Sequence, residues 1–272
     1  LAIRQTNQST HDLANVCMKL GKLYTLLDDI QAEDYLLRSL KILKSCFPSN
    51  HSELALVNLW LGQLSLKKQD YSAAFQYNKE SILAAQTSDT NRLTMGHAFC
   101  IYAELALHDR NYPHVKENIE WCEQIYQSLN FTDPAYLAKL YTVKGLYHLE
   151  ISEVEQAESC LLKALERYRA MKKPDPTQIA KVYSNLGSLC YRKNKFDQAE
   201  EYLICSLNLI QETAEPGHKD FAVSYLNLAN VYLETSRIVK AEDFLTKCQD
   251  IATRYSLPQD DFMGSLYESL GR

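Results

Sequence analysis

Seven small residues recur along the chain at Gly21, Gly62, Ala103, Gly145, Gly187, Ala229 and Gly271, with successive separations of 41, 41, 42, 42, 42 and 42 residues. A fixed period of this length constrains the fold more than any other feature, because it means that one short supersecondary unit is copied and stacked. A second set of small or β-branched residues follows the first after eleven or twelve positions, at Ala32, Ala74, Val115, Ala157, Ala199 and Ala241. Beyond that set come the related stretches "AEDYLLRSL", "AESCLLKAL", "AEEYLICSL" and "AEDFLTKCQ". Their apolar residues fall at i, i+3 and i+4, the spacing of a helix with one buried face. Each unit therefore reads as two amphipathic helices joined by a tight polar turn such as "KKQD", "HDRN" or "RKNK". The small residues mark the closest approach of the two antiparallel helices. Leu20, Leu61, Leu186 and Leu228, with Tyr24 and Tyr232, are expected to fill the layer around them.

The same register predicts helix pairs near 10–27 with 31–46, 52–68 with 71–86, 92–109 with 113–129, 134–150 with 154–171, 176–193 with 196–213, and 219–235 with 238–255. Prolines punctuate the longer connections at Pro48, Pro134, Pro176, Pro216 and Pro258, while Pro113 falls in the first turn of a second helix, where it is tolerated. One hairpin cannot bury its own apolar face, so it must stack on its neighbours. The expectation is a single all-α domain over residues 1–272 with incomplete repeats at both ends: "LAIRQ" reads as the end of a second helix, and Gly271 lies in the first helix of a seventh unit. The chain then reads as an excerpt of a longer array.

Charge and motif content narrow the function. A net charge of −5 lacks the concentrated basic surface that phosphate neutralisation requires, so no nucleic-acid partner is expected. No apolar run approaches the roughly 20 residues of a membrane-spanning helix, and the first residues carry no signal-peptide core, so neither membrane insertion nor secretion is expected. Phosphate loops, nucleophile elbows and zinc-protease motifs do not occur, so the chain reads as non-enzymatic, without catalytic residues or cofactors. His97, Glu104 and His108 share a helix face, but eleven residues at about 1.5 Å each spread them over about 16 Å, and no metal site is expected. Eight cysteines without a C-x-x-C pair read as reduced, mostly buried core residues of a cytoplasmic protein.

The pattern L-G-x-x-Y, followed by a bulky residue and Ala, resembles the tetratricopeptide repeat over essentially the whole chain. The 42-residue period, and the stretch "GHKDFAVSYLNLANVYLETSRIVKAEDFL" from Gly217 to Leu245, resemble the longer repeats of kinesin light chain. The second and third units depart from that pattern, with "LWLGQLSL" and "YAELALHD". The resemblance implies a right-handed superhelical solenoid of about six hairpins, with a concave groove lined by the first helices. It also implies a scaffold or adaptor that binds a peptide or partner protein there. The groove positions implied are Lys139 and Thr142; Lys181, Asn185, Ser188, Tyr191 and Arg192; and Leu226, Asn227, Asn230 and Glu234, with a more apolar stretch at Leu56, Leu59, Gln63 and Leu66. Asparagines can both donate to and accept from a peptide backbone, and cations favour acidic side chains, so a short acidic ligand is expected. Two other readings fit the same residues: a peptide-responsive intracellular regulator, or the regulatory region of a larger enzyme.

Overall fold

The computed structural model describes residues 2–27, 29–47, 52–86, 91–213, 220–255 and 261–271. Among these residues it contains thirteen α-helices and no strand: α1 Ala2–Leu26, α2 Ala32–Cys46, α3 Ser52–Lys67, α4 Tyr71–Ala85, α5 Arg92–His108, α6 Tyr112–Ser128, α7 Pro134–Glu150, α8 Val154–Arg169, α9 Pro176–Arg192, α10 Phe196–Thr213, α11 Asp220–Glu234, α12 Ile238–Arg254 and α13 Asp261–Gly271. The fold is an all-α helical-repeat solenoid, built from hairpins in the register expected. One expectation fails: "LAIRQ" does not end a separate helix, because Ala2 to Leu26 run as one. Pro48, Pro216 and Pro258 lie outside the described residues.

Local chemistry starts and stops these helices. Asp70, Asp133 and Asp175 cap α4, α7 and α9 by accepting from the backbone N–H groups of Ala73, Ala135 and Thr177. Pro134 and Pro176 then open their helices at the position where no N–H is needed. Helices α3, α5, α7, α9 and α11 each end on a left-handed residue other than glycine: Gln69, Arg110, Ser152, Asn194 and Ser236, with φ of 61°, 53°, 63°, 54° and 57°. In each case the next residue's N–H reaches back five positions, as Asp70 does to Ser65 and Lys195 to Cys190, closing the turn that satisfies the last carbonyls.

The chain divides into two compact units, residues 1–132 and 133–272. In the first, each helix packs on the next from α1 to α6, and α1 also meets α3 and α3 meets α5. In the second, the same pattern runs from α7 to α13, with first-helix contacts between α7 and α9, α9 and α11, and α11 and α13. The small residues from Gly21 to Ala229 stand at the helix crossings, whereas a Cβ on Gly271 would meet nothing within 4 Å. A Cβ added at Gly21, Gly145 or Gly187 would lie 2.5, 2.8 or 2.6 Å from the Cγ of Leu36, Leu161 or Leu203. Leu61, Leu186, Leu228 and Tyr232 are buried beside them as expected, whereas Leu20 and Tyr24 are only partly covered. Gly96, absent from the ladder, makes a further close approach, since its Cβ would meet Ile125 at 2.9 Å.

A buried bond ties the two helices of several hairpins together. Ser39, Ser81 and Ser206 donate to the carbonyls of Ala14, Ala55 and Ala180 at 2.7–2.8 Å, and Cys248, in the same register, points its thiol at the carbonyl of Ala222 at 3.4 Å. Six cysteines are buried, but Cys46 and Cys205 are exposed, so the core explains only the six.

Candidate functional site

Helices α7, α9 and α11 align the residues expected to bind a ligand, because the 42-residue register sets equivalent positions of successive first helices side by side. Lys139 and Lys181 occupy one such position, in the second turns of α7 and α9, and Val223, half exposed, occupies it on α11. Asn185 and Asn227 occupy a second, and Ser188 and Asn230 a third.

The structure divides the expected residues by whether the protein already uses them. Lys181 is exposed and Asn185 partly so, and neither side chain has a polar partner among the described residues. The Asn227 amide points across to α9, 3.4 Å from the Ser184 hydroxyl and 3.5 Å from that of Ser188, long enough for both bonds to be weak. The Asn230 carbonyl oxygen accepts from Ser269 of α13 at 2.7 Å. Thr142 and Ser188 turn their hydroxyls back onto their own helices, at the carbonyls of Ala138 and Ser184. Lys139 lies near Tyr136, whose hydroxyl pKa is raised by burial and by Asp133 and is partly drawn back by that lysine.

Arg192 is committed to structure. Its guanidinium donates to the carbonyl of Leu149 at the end of α7, 2.9 Å away, and so caps the preceding first helix. Lys67, in the same register in the first unit, donates to the carbonyl of Thr25 at the end of α1. On α11 the equivalent residue is Glu234, which accepts from the Tyr191 hydroxyl at 3.3 Å. Two expected groove residues belong elsewhere: Leu59 and Leu226 are 3% and 5% exposed and sit in the hydrophobic core. Leu59 shares its cluster with Ala98, Ile101 and Leu105 of the next hairpin. Ser184, which sequence reasoning passed over, faces the Asn227 amide; its sole signal is its place three residues before Gly187.

The alternative metal cluster does not assemble. His97 pairs with the Tyr126 hydroxyl at 2.7 Å, and His108 stacks on Tyr71 with ring centroids 3.7 Å apart. Among the described residues no group of three or more His, Cys, Asp or Glu side chains is gathered as a metal would require. Nor is any helix searched long and apolar enough to cross a membrane.

Stacked hairpins presenting a polar strip along their first helices define a helical-repeat module. Residues 178–254 match the tetratricopeptide-repeat family model. Solved structures with the same fold include BtubC (BKLC) from P. vanneervenii, with 17% identity, a TM-score of 0.60, and coverage of 96% of this chain and 95% of that one. NprR in complex with its cognate peptide NprX shares 18% identity at a TM-score of 0.64, over 96% of this chain and 72% of that one. A Rap protein complexed with competence and sporulation factor shares 15% identity at 0.69, over 90% and 65%. At these identities the likeness shows the fold alone. No curated protein matches the chain.

Proposed function

We propose that the protein is a non-enzymatic, cytoplasmic interaction module that holds a short acidic peptide segment, or a partner protein, along the strip on α7, α9 and α11. The observation that carries this reading is the pair Lys181 and Asn185: adjacent turns of α9 present a cation and a carboxamide that the described residues leave unused. The weakly engaged Asn227 amide lies beside them. A carboxamide can hold an extended backbone through both its donor and its acceptor, and the lysines supply complementarity to acidic side chains. The kinesin-light-chain-like period is consistent with an adaptor of this type.

A second reading is favoured by the contacts between first helices. Because Arg192 and Asn227 bridge neighbouring hairpins, a ligand that engaged them would change how the hairpins pack, which is what a peptide-responsive regulator requires. NprR, solved with its cognate peptide, and the Rap protein, solved with competence and sporulation factor, lend weight to it. A displayed random-peptide library panned against the purified chain tests the proposal. Enrichment of acidic segments that are lost on Lys181→Glu is the expected result; selected peptides without acidic bias, or indifferent to that change, would overturn it.

A further inference from the structure

One hairpin departs from the common register in its interior. The second helices carry Leu36, Asn78, Ile119, Leu161, Leu203 and Leu245 at equivalent positions. Leu36, Leu161 and Leu203 lie tight against the glycine of their own hairpin, but at Gly62 the facing atom is the Asn78 Oδ1, 3.2 Å from where a Cβ would stand. Asn78 is 0% exposed. One turn before each small residue, the first helices carry Cys17, Asn58, Phe99, Tyr141, Tyr183 and Tyr225. Three of the aromatic residues there abut the second helix of their own hairpin within two positions of the ladder residue: Phe99 meets Trp121, Tyr183 meets Tyr202, and Tyr225 meets Phe244. In the second hairpin that position is held by Asn58, 2% exposed, one turn before the Gly62 that Asn78 faces.

The second hairpin thus has two compact carboxamides where most of the others have a larger aliphatic or aromatic side chain. The Oδ1 of Asn58 and both polar atoms of Asn78 are buried, and no hydrogen-bond partner reaches them from the described residues. Leaving a buried amide unpaired is costly, whereas its aliphatic counterpart carries no such cost. Side chains shorter than their counterparts, with buried polar atoms left unpaired, are what an internal water can satisfy, since such a water typically makes about three hydrogen bonds. The geometry points to a buried hydration site between α3 and α4, in which water accepts from the Asn78 amide and donates to the carbonyl oxygens of Asn58 and Asn78. It makes the second hairpin a hydrated joint among hairpins closed by leucine or isoleucine.

A crystal structure of the 272-residue chain, at a resolution that shows ordered water, tests this together with the Asn78→Leu variant. The expected result is water within hydrogen-bonding distance of Asn58 and Asn78. In the variant that water should be gone and the unfolding midpoint raised by about 2–4 °C, as leucine restores the packing of the other hairpins. Carboxamides bonded to each other or to the backbone with no water between them would overturn the inference. So would a fall in the variant's midpoint, which would mean that Asn78 is already satisfied by protein.

Discussion

A methyl group at Gly187 would stand 2.6 Å from the Cγ of Leu203, whereas at Gly264 it would meet nothing within 4 Å. Gly187→Ala is therefore expected to destabilise the protein by about 1–3 kcal/mol through overpacking. Gly264→Ala, on an exposed helical face, should stabilise it by about 0.5–1 kcal/mol. Thermal unfolding of the two variants side by side checks both signs. Ala103 and Ala229 hold the same rung fully buried, so those hairpins already accommodate the methyl group. A second outcome concerns alkaline pH. Burial pushes the Tyr102 hydroxyl up to about 12 from 10.0, and burial together with the hydrogen bond to Glu200 does the same for Tyr232. A folded-state pKa above the unfolded value means that the neutral phenol is favoured by folding. Its contribution is whole below pH 10 and is lost as pH climbs from 10 to 12. Phenolate absorbance recorded with circular dichroism should show these tyrosines ionising late and helicity falling over that window; their ionisation near pH 10 with the helices intact would contradict it. At this scale the sequence was informative about the ladder and silent about Asn78, because a buried asparagine follows no helical periodicity of its own.

Helix limits were legible because apolar spacing and small residues repeat in every unit: Pro176 to Arg192 and Phe196 to Thr213 lie within a residue of the limits expected from the pattern. The turns were not legible in the same way. Left-handed residues are commonly glycine, yet here they are Gln69, Arg110, Ser152, Asn194 and Ser236, identifiable only by their backbone. Gln69→Gly should relieve that conformation and stabilise the hairpin by up to about 1 kcal/mol, and Asn194→Gly by less, since asparagine tolerates it better. Chemical denaturation distinguishes the two. The candidate strip was legible as a set of positions but not as a set of free groups, because nothing in the sequence shows that the Arg192 guanidinium caps α7. Arg192→Ala should cost about 0.5–1.5 kcal/mol of stability, and Arg192→Lys should recover part of it, as the equivalent Lys67 makes the same bond. Equal stability of all three proteins would show that the cap contributes nothing.

For the molecule as a whole, one hairpin design serves two purposes: its buried faces stack in register, and its first helices carry a strip in which Lys181 and Asn185 remain available. These two purposes predict different mutational signatures. Changes at the ladder should alter stability without selectivity for a ligand, whereas Lys181 and Asn185 should alter binding and leave the unfolding midpoint where it is. Calorimetric titration of a library-selected acidic peptide into the wild-type chain, Asn185→Ala and Lys181→Glu, each at low and moderate salt, tests the account most directly. Asn185→Ala is predicted to weaken binding by roughly 0.5–1.5 kcal/mol at either salt concentration. Lys181→Glu is predicted to weaken it further and to flatten its salt dependence. Affinities unchanged in both variants, with the same salt slope as wild type, would contradict the assignment of ligand binding to this strip.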